Sequence, residues 1–483
     1  MVIYPNNWIP TASLEEMEKT FYDVLIVGSG AGGGASLYRL CEMWKNHTDK
    51  KIGILEKGNL LFHSNALNIP TMNITRMREQ LFYDNSTPVG HLLPDFPGAR
   101  LVYALGGRTL FWNAWSPRPP QFELLKWPIN QAELNAYYSL AEKVLHVTSS
   151  YANGSVLQNI MMNRLYENNI INSMDSPVSI DMSATHLGEI HSNAWFSTIN
   201  FLALAMNDKP YDLGLNAFVS KLFVEQGKIS GVEVIDTDKN THIIHAKNII
   251  LSAGALETPR LLLNSGIQGP AIGHYLTDHL TIFDLGKINR RQFGMDPGVL
   301  SILIYETAEQ PYQIQLLGPD QYYAYQQFEE KILPEELSIT LATFGKTESL
   351  YENRVYIDSA RIDQYGIPEI QVDFSYSNKD RFVASQMVDG ILKTSSAINI
   401  DLLTTQPNLS SPGSDLHESC TCRMGIDPET SVVNSNGQIH EVPGLYVADN
   451  STLPTLAAAN PTLSTVALSI RLADHIVSKS YSK

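Results

Sequence analysis

Three short stretches carry residues whose types and spacing could do chemistry. In YDVLIVGSGAGGGASLYRLCEMW, Gly28, Gly30 and Gly33 have the G-x-G-x-x-G spacing. Glycine at those positions lets the backbone turn tightly, approach a diphosphate and pack a helix on a strand, and the helix N-terminus offers free N–H groups to the phosphates. Glu56 closes the next strand-like run, KIGILEKG, where a carboxylate can accept hydrogen bonds from ribose hydroxyls. The second stretch, HESCTCRMG, places His417 near Cys420 and Cys422. As a zinc set it offers three ligands in one short loop, with Cys41 away in the first helix, so no metal is expected. The third is LAAANPTLSTVALSIRLADHI, in which Asn460 precedes Pro461. Asn before Pro is a helix start, and whether Asn460 only caps that helix or also meets a substrate depends on what the N-terminus faces.

The elements that must position these residues are legible in outline. The first stretch and KIGILEKG make a strand–helix–strand unit. ARLVYALGGRTLFWNAWSPRPP, Ala99 to Pro120, is dense in Gly, Pro and Trp and reads as a long functional loop. KLFVEQGKISGVEVIDTDKNTHIIHAKNIILSAG alternates as a small antiparallel sheet followed by a buried strand over 248–252, and ALETPRLLLNSGI continues as a helix. From Val299 to about Thr405 strand-like runs such as VLSILIYE, YQIQLLG, LSITLATF and RVYIDSARI dominate, with a helix near 379–396, which reads as a second domain with a broad sheet. VPGLYVADNSTLPT gives a buried strand ending at Asp449, and a helix is expected from Pro461 to about Val477.

Composition excludes several classes. The chain of 483 residues is 43% hydrophobic and 17% charged, which suits a globular protein with a sizeable core. A formal charge of −16 without a basic cluster argues against a nucleic-acid partner. Three scattered cysteines make no disulfide framework and favour a reducing compartment. The sequence carries no basic-then-apolar leader and no apolar run of membrane-spanning length, so no membrane partner and a cytoplasmic location are expected.

Four separated segments together resemble the glucose-methanol-choline (GMC) family of flavin oxidoreductases: the turn at Gly28, ALGGRT from Ala104, NIILSAGALETPRLLLNSGI from Asn248, and the closing GLYVADNSTLPTLAAANPTL. GHYLTDH from Gly273 is similar to a further element of that family, and GGRTLFWNAWSPRP with ANPTL looks closest to its pyranose-oxidase-like branch. The resemblance implies an α/β fold: a discontinuous Rossmann-like FAD-binding domain over 1–140, 205–285 and 405–483, and a sheet-containing substrate-binding domain over 141–204 and 286–404. It implies FAD held by Gly28, Gly30 and Gly33 at the pyrophosphate, Glu56 at the ribose, and the Val219 backbone near adenine. Gly107 and Thr109 would follow the phosphates, Asp449 the pyrophosphate and ribityl chain, Asn113 the reactive flavin edge, and Thr462 the ring. Val219 and Thr462 could equally be packing residues. In relatives that bind FAD covalently the linking histidine aligns with Phe111, which has no nucleophilic nitrogen, so non-covalent FAD is expected.

The resemblance also makes His417 the general base and Asn460 the donor that positions the substrate oxygen. An alcohol releases hydride to flavin N5 as its oxygen loses a proton; imidazole, with an ordinary pKa of about 6.5, can take that proton, and a neutral amide can hold the developing alkoxide. Cys420 stands where the family pattern has glycine. The expected activity is oxidation of an alcohol group of a sugar, glycoside, amino sugar or related polyol, re-oxidised by oxygen, a quinone or a protein. A flavin-containing lyase, or a dehydrogenase of a simple non-sugar alcohol, is the alternative on the same fold.

Overall fold

The structure, a computed structural model, describes residues 10–69, 72, 76–89, 94–183, 194–294, 297–319 and 334–481. Its centre is a five-stranded parallel sheet in the order Leu445–Val447, Ile249–Leu251, Val24–Val27, Ile52–Leu55, Asp212–Gly214. The first four strands are fully buried apolar runs, as expected of a parallel sheet covered on both faces. The helix Ala31–Met43 packs on one face beside the helices Thr198–Asp208 and Thr462–Tyr481. Register aligns the carboxyl ends of three strands, Val27 beside Leu251 and Leu251 beside Val447. The chain therefore leaves the sheet at one edge through Gly28, Ser252 and Ala448, the place where open α/β sheets bind ligands.

The expected small antiparallel sheet forms from Phe218–Glu225, Lys228–Ile235 and Thr241–His245. A larger antiparallel sheet has the order Asp401–Leu402, Leu280–Asn289, Glu336–Gly345, Tyr312–Gly318, Leu300–Ile304, Ser173–Asp175. The helices Asn378–Ile398 and Val156–Glu167 pack on it around a second core that includes Leu280, Ile302, Leu316, Leu341 and Met387. The run RVYIDSARI does not join this sheet. Arg354–Ile362 forms a two-stranded ribbon with Pro368–Asp373, because the turn between them folds the chain back, and its start bridges to His274. That ribbon then packs Val355, Ile370 and Val372 with Leu256 on the helix Gly254–Asn264. The Gly- and Trp-rich loop is mostly irregular, with one tight turn over Gly107–Leu110.

Candidate active site

At the carboxyl edge of the parallel sheet lies a cavity of about 760 Å³. Gly28, Gly30, Glu56, Gly107, Thr109, Asn113, Val219, His417, Asp449, Asn460 and Thr462 all line it. Gly33 does not. A Cβ on Gly33 would overlap the Gly28 carbonyl oxygen, so this glycine sets the distance between the turn and the helix. Gly28 has φ +98°, and a Cβ there would overlap the Ser252 carbonyl. A Cβ on Gly30 would meet nothing within 4 Å, so space is left open where a diphosphate would lie. The Gly107 turn closes over this strip: Gly106 N–H donates to Ser29 Oγ at 3.0 Å.

Glu56 is buried, which pushes its carboxyl up against the hydrogen bonds that favour the anion. Its Oε2 accepts from Ser29 N–H (3.1 Å) and Oγ (2.6 Å), and Oε1 accepts from Gly58 N–H (2.9 Å). Asp449 is more heavily engaged. Oδ1 accepts from Ser451 N–H and Oγ, and Oδ2 from Gly254 N–H (2.9 Å) and Thr258 Oγ1 (2.6 Å). All four of its acceptor positions thus serve the chain, tying the strand end at Val447 to the helix Gly254–Asn264. The Thr109 hydroxyl is likewise taken by its own surroundings, donating to the Gly106 carbonyl (2.6 Å) and accepting from Thr198 N–H (2.9 Å). Val219 packs in the main core while lining the cavity, and Thr462 is the first residue of the last helix.

His417 sits on irregular backbone that is fastened at several points. Arg108 donates to the Leu416 carbonyl (3.0 Å) and pairs with the Glu418 carboxylate (2.5 Å), clamping the residues on either side of His417. Pro259 has no N–H, so the helix Gly254–Asn264 leaves the Ala255 carbonyl free to accept from Thr421 Oγ1 at 2.6 Å. Cys420 has φ +72°, which explains why glycine suits its position. Cys420 and Cys422 are buried in the main core, and burial pushes the Cys420 thiol up to about 12. His417 groups instead with His279 and Asp415: its Nδ1 lies 2.9 Å from His279 Nδ1 and 3.1 Å from Asp415 Oδ2. Its Nε2 meets no hydrogen-bond partner among the described residues.

Asn460 is buried, and its Oδ1 accepts from Gln313 Nε2 (2.9 Å) and Gln315 Nε2 (2.7 Å). Both glutamines sit on one face of the strand Tyr312–Gly318. The oxygen that could have capped the helix is thereby occupied, and the amide NH₂ is left as the donor available to the cavity.

Residues 24–281 match the N-terminal and residues 350–469 the C-terminal GMC oxidoreductase family model. The chain belongs to the GMC oxidoreductases. These are flavoproteins that oxidise alcohol groups, and this GMC oxidoreductase is an enzyme of that kind. It is 28% identical over 408 residues to a C-glycoside 3-oxidase of Arthrobacter globiformis, covering 80% of this chain and 77% of that protein. It is 23% identical over 428 residues to a pyranose 2-oxidase of Tricholoma matsutake, covering 80% and 74%. The fold matches the crystal structure of a pyridoxine 4-oxidase from Mesorbium loti with a TM-score of 0.65 at 15% identity, over 94% of this chain and 99% of that one.

The residues present fit FAD. The open space over Gly30 admits a diphosphate, and Asn113 Oδ1 is a buried acceptor with no partner among the described residues. Phe111 packs edge-on against Phe62 and Phe82 at 5.9 and 5.6 Å and lines the same cavity. The sequence reading assigned no role to His279, Asp415, Arg108, Gln313 or Gln315. His279 and Arg108 lie inside GHYLTDH and GGRT, and the two amides alternate within an apolar strand, a signal that marks one polar spot on a buried face. Asp415 carries no such signal. Among the described residues no helix is long and apolar enough to cross a membrane.

Proposed function

We propose that this GMC oxidoreductase oxidises an alcohol group of a sugar, glycoside, amino sugar or related polyol to a carbonyl, with FAD bound non-covalently. The observation that carries the reading is the pairing, in one cavity, of an imidazole nitrogen that has no partner among the described residues and an amide pre-turned to donate. FAD, when bound, supplies the acceptor for the hydride. Asn460 Nδ2 donates to the substrate oxygen and holds it as charge develops. His417 Nε2 takes the hydroxyl proton. The N-terminal end of the helix Thr462–Tyr481 adds a positive partial charge at the same wall.

The substrate class is supported by the names of the relatives and by the cavity wall. Trp115, Phe283, Phe344 and Gln315 line the same cavity as His417 and Asn460, a mixed aromatic and amide wall that suits a ring with apolar C–H faces and polar edges. Gly28, Gly30 and Gly107 line the pyrophosphate end, Glu56 and Val219 the adenosine end, and Asn113 and Thr462 the ring end, with Gly33, Thr109 and Asp449 holding the frame. The phenyl ring of Phe111 supports non-covalent FAD. Free, buried Cys41, Cys420 and Cys422 support a cytoplasmic location. The parallel sheet draws all its strands from 1–140, 205–285 and 405–483, which supports those spans as the FAD-binding domain. The six-stranded sheet draws mainly on 141–204 and 286–404, with Leu280–Asn289 crossing the boundary.

Anaerobic mixing of the holoenzyme with free sugars, glycosides, amino sugars and simple alcohols tests the reading. A sugar or glycoside should bleach the flavin; bleaching by simple alcohols alone, or by none of the panel, would overturn it. Admitting oxygen, a quinone or a candidate protein acceptor then shows which of them restores the colour.

A further inference from the structure

Two imidazoles meet nitrogen to nitrogen beside one carboxylate. His279 Nδ1 lies 2.9 Å from His417 Nδ1, and Asp415 Oδ2 lies 3.3 Å from the first and 3.1 Å from the second. His279 Nε2 lies 2.6 Å from the Ala457 carbonyl oxygen. A carbonyl oxygen only accepts, so that nitrogen carries a proton. Neutral His279 then has a bare Nδ1, and the bond between the rings draws its proton from His417 Nδ1. His417 Nε2 is left with its lone pair. The tautomer of the base is thus set by a backbone carbonyl on the far side of a second ring.

We propose that His279 and Asp415 form a proton relay with His417: as His417 Nε2 takes the substrate hydroxyl proton, the proton on His417 Nδ1 crosses to His279 Nδ1, and the Asp415 carboxylate is the countercharge for both rings. One proton enters at Nε2 and one leaves from Nδ1, so His417 ends neutral and His279 cationic. No electrons move within the relay; the hydride leaves the substrate carbon separately, for the flavin. This rests on the proposed role of His417, and it makes His279 and Asp415 positioning residues that act through it.

The surrounding charges favour this arrangement. Burial would raise the Asp415 carboxyl, but the His417 charge and the hydrogen bonds with His279, His417 and Asp278 outweigh it and hold the carboxyl well below the usual range. Burial and the Asp415 charge push its neighbour Asp278 well above that range, so Asp278 keeps its proton and leaves Asp415 as the anion of the pair. Asp278 Oδ2 accepts from Gly413 N–H at 2.8 Å, which fixes the pair in place. Glu418 is matched by Arg108, which also feels Asp278 and Asp415. Tyr376 faces the acid pair with its phenol raised by burial, and Glu306, raised by burial to about 7, lies on the His279 side.

Nitrogen-15 NMR of histidine-labelled holoenzyme tests the relay without any substrate. The chain has 13 histidines, so the spectrum is sparse enough to assign with His279→Gln and His417→Gln. Near neutral pH, His417 should show a protonated Nδ1 and bare Nε2, His279 the reverse, with scalar coupling between the two Nδ1 atoms. A proton on His417 Nε2, or a bare His279 Nε2, would overturn the relay even if the substrate class stood. Conversely, this pattern would stand if no sugar bleached the flavin. Asp415→Asn, read by stopped-flow with whichever alcohol reduces the flavin, should lower the limiting rate at least about tenfold and move the acid limb of the pH profile down by about one unit or more. An unmoved limb with an unchanged rate would remove the carboxylate from the relay.

Discussion

Asn460 precedes a proline at a helix start, where an asparagine ordinarily caps with its side-chain oxygen. That oxygen instead accepts from Gln313 and Gln315, so the amide is oriented by a strand of the other sheet. Asn460→Asp tests the difference. The aspartate retains an oxygen for both glutamine donors, so its melting temperature should stay near that of the wild type. Its second oxygen replaces the NH₂ and places negative charge beside a developing alkoxide. Single-turnover flavin reduction should fall at least about tenfold, equivalent to roughly 1.4 kcal/mol in the barrier. Unimpaired reduction at normal stability would return Asn460 to a purely structural role.

At the scale of the elements, the glycine motif divides its labour between strand, turn and helix. Gly33 lets the helix Ala31–Met43 sit against the turn, and Gly30 leaves room in the cavity. The two alanine variants should therefore fail differently. Gly33→Ala forces the turn and helix apart and should destabilise the FAD-free protein by about 2 kcal/mol or more. Gly30 has φ −67°, which alanine adopts readily, so Gly30→Ala should melt like the wild type without FAD while its FAD affinity drops at least about tenfold. Thermal melts of the FAD-free proteins and FAD titrations read the two effects apart. Equal losses of stability in both would contradict this division.

At the scale of the whole molecule, the large antiparallel sheet and the parallel-sheet half meet at the site. The strand Tyr312–Gly318 reaches Asn460, and Glu306 beyond the strand Leu300–Ile304 accepts from Ala458 N–H at 2.9 Å. Burial raises the Glu306 carboxyl to about 7. Between its unfolded value near 4.5 and that folded value the native state binds more protons, so this contribution to stability is full below about 4.5 and is lost as pH rises through 7. Glu306→Gln keeps an acceptor for Ala458 and removes the titration. From pH 5 to pH 8 the wild type should therefore lose up to about 3 kcal/mol relative to Glu306→Gln, seen as a narrowing or reversal of their difference in melting temperature. Parallel pH profiles for the two proteins would refute the assignment.

The sequence by itself determined what local periodicity and backbone sterics control. The strand–helix–strand unit, the distinct demands at Gly28, Gly30 and Gly33 and the start of the last helix all depend on neighbours within a few residues. The resemblance added the family and the glycine pattern at Cys420, and of the site residues it named all but Gly33 line one cavity. RVYIDSARI was misplaced in the broad sheet because strand character in a run does not say which strand it will pair with. The groups that orient the chemistry were decided only by tertiary packing. His279 and His417 are 138 residues apart in the chain, and Gln313 and Asn460 are 147 apart. No spacing rule links such pairs. They meet because the antiparallel sheet brings Gln313, Gln315 and His279 up to the segments that carry Asn460 and His417, and burial there makes each unpaired donor or charge costly enough that the partners fix one another's orientation.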